Sequence, residues 1–173
     1  MEIPFLPPLP KEQVDTIARE VYEKFEKATG KIPQWVKVMA YDPLILKAFV
    51  ELFEVIMKRE SEIDSILKWK IALVVSQTLK CPFCIDVSEK MLLSFGLSNE
   101  TIEKIKNAEG ETDAEKEIFE LIKDITLDGH LDKPELFQKL KEKFSPKQII
   151  EIISVMCFFN YINRFNNSLA ILP

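Results

Sequence analysis

The chain has 173 residues, with 23 Lys and Arg against 28 Asp and Glu, a formal charge of −5. That acidic balance disfavours a nucleic-acid binder, which presents a basic footprint. With 47% hydrophobic residues, 29% charged residues and only 4 Gly, the composition excludes a disordered or collagen-like chain and fits one globular domain over 1–173. Few Gly and many Lys, Glu, Ile and Leu favour helices and weigh heavily against an all-β fold.

Residues 1–9 read as a proline-rich arm whose apolar Ile3, Phe5, Leu6 and Leu9 are expected to dock on a surface. This acidic, proline-broken start lacks the basic region and unbroken apolar core of a secretory signal, so a cytoplasmic protein is expected. The longest apolar runs, Ile71 to Val75 and Val155 to Phe159, fall far short of the ~20 residues a membrane helix needs.

A first helix is predicted from near Pro10 through Ile17, Val21 and Phe25, ending at Gly30. Pro33 opens a short piece through Trp35 and Met39. Asp42-Pro43 then caps a helix whose apolar face runs from Ile45 to Ile56. Ser61 is the predicted cap of a helix through Ile66, Trp69 and Val74 that ends in Ser76-Gln77-Thr78. The next helix begins at Pro82 and stops before Gly96. Ser98 and Asp113 are read as caps of two further helices, the second broken by Gly129-His130. A helix from about Pro134 to Phe144 follows, and Ser145-Pro146-Lys147-Gln148 forms a capping box before a long apolar helix.

The chemistry is concentrated in Cys81-Pro82-Phe83-Cys84. Proline favours the first helical position, so Cys81 falls at the N-cap and Cys84 about one turn inside, where the two sulfurs can meet. Unpaired backbone N–H groups and the positive helix end stabilise a thiolate there. Helical periodicity on both sides argues against a thioredoxin-like βαβ context. A zinc site would need more ligands than Cys157 and the lone His130 supply, so no metal is expected. Two inert buried thiols remain an alternative to redox chemistry. Cys157, between Met156 and Phe158, is expected in the core.

Ile71-Ala72-Leu73-Val74-Val75-Ser76 leading into the dithiol, followed by Gly96-Leu97-Ser98-Asn99-Glu100, resembles the core of the AhpD-like, carboxymuconolactone decarboxylase superfamily. Thr29-Gly30-Lys31-Ile32-Pro33 with Asp42-Pro43, and Phe159-Asn160 with Asn163-Arg164, resemble its flanking helices. The resemblance implies an all-α domain of about eight to nine helices, homo-oligomeric assembly, and a cofactor-free peroxidase or thiol-disulfide activity. It also implies that Cys84 reacts with peroxide and Cys81 resolves it, whereas helix-end electrostatics favours Cys81 as the lower-pKa thiol. The peroxidase branch places a Glu three turns before the first Cys and a His one turn after the second; here those positions hold Trp69 and Ser88.

Ser88 and Trp69 are therefore candidate supporting residues: Ser88 shares the Cys84 face at i, i+4 and could hydrogen-bond its sulfur, and Trp69 fills the core and walls off the dithiol. Asp86 and Glu89 are read as solvated charges. Asn160, Asn163, Arg164 and Asn167 form a polar stripe expected to build a structural hydrogen-bond network or a subunit contact. The leading expectation is a CxxC thiol-disulfide oxidoreductase with weak alkyl hydroperoxide reductase activity, served by a thiol or dithiol reductant. One rival is a non-catalytic or redox-sensing oligomeric protein of the same fold that has lost the Glu/His relay; the other, a lactone-acid decarboxylase, is disfavoured because that branch generally lacks a CxxC.

Overall fold

The computed structural model describes residues 4–131 and 133–173, so Ile3 of the arm lies outside the described residues. Among the described residues there is no strand, and the fold is all-α, with 73% of residues helical. The described residues form nine α-helices: α1 (Thr16–Thr29), α2 (Gln34–Met39), α3 (Pro43–Phe53), α4 (Ser65–Thr78), α5 (Pro82–Ser94), α6 (Asn99–Lys106), α7 (Asp113–Asp128), α8 (Pro134–Lys143) and α9 (Pro146–Ser168). None is long and apolar enough to cross a membrane.

The centre is α4. Every residue from Lys68 to Ser76 is buried, so this helix has no solvent face and packs against α5, α7 and α9. Its two buried lysines find partners in the interior. Lys70 Nζ donates to Glu111 Oε2 and Glu115 Oε1 at 2.7 and 2.8 Å, and Lys68 Nζ donates to Ser61 Oγ at 2.8 Å. Helix α9 closes the opposite side, entered through the expected capping box: Ser145 Oγ accepts from Gln148 N, and Gln148 Oε1 accepts from Ser145 N.

Several boundaries differ from the sequence reading, each because a better cap lies nearby. Pro10 leads only into a 3-10 turn, Lys11–Gln13; Val14 is extended, and α1 starts after Asp15, whose carboxylate accepts from Ala18 N at 2.8 Å. Asp64, not Ser61, caps α4 by accepting from Leu67 N, while Ser61 serves Lys68. Thr112 caps α7, and Asp113 is its first residue, well placed as an acid at a helix start. The α3 run passes at Glu54–Lys58 into a π-helical turn. In the arm Leu9 packs on the core and its carbonyl accepts from Tyr22 OH, but Phe5 and Leu6 are exposed rather than docked.

Candidate active site at the start of α5

Between α4 and α5 the chain reverses over Leu79, Lys80 and Cys81. Lys80 takes the left-handed conformation (φ 53°), and Cys81 is extended at the N-cap, its N–H donating to Ser76 O at 3.1 Å. Pro82 then starts α5, as its fixed φ favours, and places Cys84 one turn in. Both cysteines are buried free thiols, Cys81 wholly and Cys84 to all but 4% of its surface. Their side chains lie close together at the helix start.

That contact splits their acidities. The Cys84 thiol holds Cys81 below the ordinary thiol pKa; burial opposes this, and the backbone N–H groups of Cys84 and Phe83 reinforce it. Cys84 is pushed up, first by its bond to Cys81 and then by burial. Of the two, Cys81 at the helix end is therefore the more acidic thiol.

One further group touches the pair, from α9. Asn166 Nδ2 donates to Cys84 Sγ at 3.3 Å, and Asn166 is fully buried. Sequence reasoning missed this residue. Its signal was an amide one turn beyond Asn163 in a strongly apolar helix, where burial demands a partner. Ser88 proves different from expectation: it is fully buried on the Cys84 side of α5, yet its hydroxyl makes no hydrogen bond to Cys84 or to any other described residue. The amide of α9 occupies the sulfur instead.

Cys84 forms part of the floor of a cavity of about 250 Å³, and Asn166 lines it beside the sulfur. Cys81 does not reach it. The walls are mostly aromatic, with Phe25, Trp35, Phe49, Phe53, Phe83 and Phe159 among them. Trp69 is buried and meets Phe53 and Phe159 edge-on at 6.5 and 5.8 Å, so it fills the core and also walls the dithiol chamber, as the sequence suggested. Polar residues enter only through Thr29 and Lys31, both exposed, and through Asn166.

The remaining residues singled out in the sequence serve elsewhere. Asp86 pairs with Lys90, and Glu89 with Lys106. The α9 stripe is a structural network: Asn160 Nδ2 donates to Thr126 Oγ1, Arg164 bridges Asn160 Oδ1 and Thr126 O, and Asn167 Nδ2 donates to Leu79 O. His130 is exposed after Gly129 and does not line the cavity. Cys157 is exposed, contrary to the core position expected of it, because α9 turns that face away from α4. Among the described residues no three His, Cys, Asp or Glu side chains are grouped to hold a metal ion.

An all-helical unit that delivers a Cys-x-x-Cys pair from one helix start beside a hydrophobic chamber has the AhpD-like fold. Residues 43–124, which run from α3 into α7 and include the dithiol, match the carboxymuconolactone decarboxylase family. Among solved structures, an uncharacterised peroxidase-related protein of Ralstonia eutropha JMP134, described as an alkylhydroperoxidase AhpD core, superposes with a TM-score of 0.87 at 16% identity, covering 100% of this chain and 93% of that one. A peroxidase-related protein of Silicibacter sp. TM1040 gives 0.81 at 22%, covering 100% and 90%. The debrominase Bmp8, solved as a cysteine-to-alanine variant in complex with 2,3,4-tribromopyrrole, gives 0.78 at 22%, covering 95% and 88%. No curated protein sequence matches the chain.

Proposed function

We propose that the protein is a cofactor-independent thiol oxidoreductase that cycles Cys81 and Cys84 between dithiol and disulfide, with an apolar hydroperoxide as oxidant. The observation that carries this reading is the closeness of the two thiols at the edge of an aromatic chamber that Cys84 lines. The roles separate by access and acidity. Cys81 is the more acidic of the pair but is closed off; Cys84 faces the chamber.

As the Cys84 proton passes to Cys81, the Cys84 thiolate attacks the outer peroxide oxygen and the O–O bond breaks. Cys84 becomes a sulfenic acid, and the departing alkoxide takes the proton back from Cys81 and leaves as the alcohol. The Cys81 thiolate then attacks the sulfenic sulfur, the S–O bond breaks, and the hydroxide leaves with the negative charge to be neutralised by a proton from the buffer as the disulfide closes. A thiol or dithiol reductant returns two electrons and two protons. Such a cycle suits a reducing, cytoplasmic setting.

Alkylation of the protein before and after treatment with cumene hydroperoxide, followed by mass measurement, tests this. The expected result is a loss of two hydrogens localised to the peptide carrying both Cys81 and Cys84, reversed by dithiothreitol. Oxidation confined to the exposed Cys157 would defeat it and favour the non-catalytic reading, in which the thiols only pack.

A symmetric homo-oligomer belongs to the same proposal. Helices α3 and α9 present Ile45, Leu52 and Tyr161, each close to half exposed, around a groove that includes Cys157. An apolar face of this kind is ordinarily covered. Light scattering is expected to give a multiple of the 20.1 kDa chain mass. A monomer at micromolar concentration would contradict it.

A further inference from the structure

A second cavity, of about 430 Å³, lies beside the aromatic chamber, between α1 and the later turns of α5. Phe25, Thr29, Val50, Phe53, Trp69 and Val87 line both, so the two are neighbouring lobes with a partition one side chain thick. Phe25 and Phe53 in that partition are only half-buried, and such rings can turn aside. Helix α5 runs along both lobes: Cys84 lies in the inner one, Val87 in the partition, and Met91 and Phe95 in the outer one. From Cys84 to Phe95 the helical rise is about 16 Å. The inner lobe alone, about 250 Å³, is smaller than an ordinary small-molecule site, whereas the two together fall within the usual range.

The outer lobe differs from the inner in carrying charge. Lys24 Nζ and Lys58 Nζ stand 2.7 and 3.8 Å from the same oxygen, Glu54 Oε1. Two ammonium groups thus share one carboxylate and leave a net positive charge at the mouth. Lys58, the farther of the two, hangs over the Phe53 ring, 5.7 Å from its centroid. Glu54, Met57 and Lys58 all line this lobe from the π-helical turn, a departure from regular helix that is frequent at functional sites.

We propose that the two lobes form one site for an elongated, singly anionic aliphatic ligand, whose chain lies along α5 across the partition, whose carboxylate pairs with Lys58 at the outer mouth, and whose far end reaches Cys84. The proposal rests on the reading that Cys84 meets its oxidant in the inner lobe. It narrows that oxidant to a hydroperoxide carried on an apolar chain, far from an acid end. Burial of the chain supplies affinity, and charge fixes direction, because a carboxylate pushed among the inner rings would lose its hydration without gaining a partner. A compact hydroperoxide fills the inner lobe alone and gains nothing from Lys58.

The test uses binding alone, on the reduced protein, with sodium dodecanoate below its micelle concentration as the probe. Ile162 lines only the inner of the two lobes and Met91 only the outer, and the methyl resonances of both should shift on titration of the native protein. Ala28→Trp puts a ring into the outer lobe from an exposed position, and should weaken dodecanoate roughly 4-fold for every methylene it keeps out of the cleft. Lys58→Met keeps an apolar stem over Phe53 but removes the charge, and should weaken it roughly 1.5- to 5-fold, the span of an exposed ion pair. A shift confined to one of the two methyl groups would overturn the proposal, as would an affinity indifferent to Ala28→Trp. So would failure of the probe to bind, or a larger loss in Lys31→Met than in Lys58→Met, which would put the carboxylate at the inner rim.

Dodecanoate carries no peroxide, so failure here is separable from failure of the redox reading. A protein that binds it across both lobes but never oxidises its dithiol loses only the proposed activity. One that reduces cumene hydroperoxide yet holds dodecanoate in neither or only one lobe loses only the elongated site.

Discussion

Cys84→Ser is expected to slow oxidation by cumene hydroperoxide on the order of 10⁴-fold or more, the scale on which losing an obligatory nucleophile acts. Cys81→Ser should behave differently. It keeps the sulfur that faces the chamber but removes the thiolate that accepts the Cys84 proton, and with it the resolving attack. The first step then slows by the ~10²- to 10⁴-fold typical of general-base assistance and stops at a sulfenic acid on Cys84, which a dimedone label captures. Stopped-flow oxidation with mass mapping of the label separates the two. A sulfenic acid trapped on Cys81 in Cys84→Ser, at a rate near the native one, would reverse the assignment. Low pKa alone would select Cys81, and family resemblance alone Cys84. The structure separates the two properties: the lower pKa belongs to the closed sulfur, and the opening lies at the other.

Local chemistry made the dithiol readable in advance, because proline at a first helical position fixes where its neighbours fall. Pro82 placed Cys81 at the cap and Cys84 one turn inside, and the same logic located Asp42-Pro43 and the Ser145 capping box. Caps were misplaced where two candidates stood within a few residues: Asp64 outcompetes Ser61 because the Ser61 hydroxyl is claimed by the buried Lys68, a tertiary partner with no local trace. The partner of Asn166 was hidden for the same reason. Its contact with Cys84 joins residues 82 positions apart, and nothing along α9 distinguishes it from Asn163, whose amide merely bonds back to Phe159 O. The exposure of Cys157 followed from which face of α9 meets α4, and an all-round apolar helix carries little periodic signal to decide that. The chamber itself is drawn from α1, α3, α4, α5 and α9, so its existence depends on packing that no single segment encodes.

Ser88→His tests what the missing relay costs. Position 88 lies one turn after Cys84 on the same face of α5, within reach of its sulfur for an imidazole though not for the hydroxyl, which finds no partner there. Burial disfavours the charged ring, so the imidazole is held neutral and able to accept the Cys84 proton. Assistance of that kind is worth ~10²- to 10⁴-fold, and oxidation of Cys84 by cumene hydroperoxide should accelerate within that range. The site is fully buried and sized for serine, so the added ring overpacks the α4–α5 contact, and a loss of about 1 to 3 kcal/mol is expected in denaturant unfolding. Adding Trp69→Glu to supply the acid of the family pattern works against itself. Its carboxyl would enter an aromatic wall where burial raises the pKa, and removing the ring costs about 3 to 5 kcal/mol more. The single variant is the informative one. Faster oxidation with lower stability would show that the native protein runs without a dedicated base, relying on the Cys81 thiolate and the Asn166 amide. No acceleration in a folded Ser88→His variant would mean that those two groups already supply what the relay provides elsewhere, and Asn166→Leu in the same assay would then show the loss.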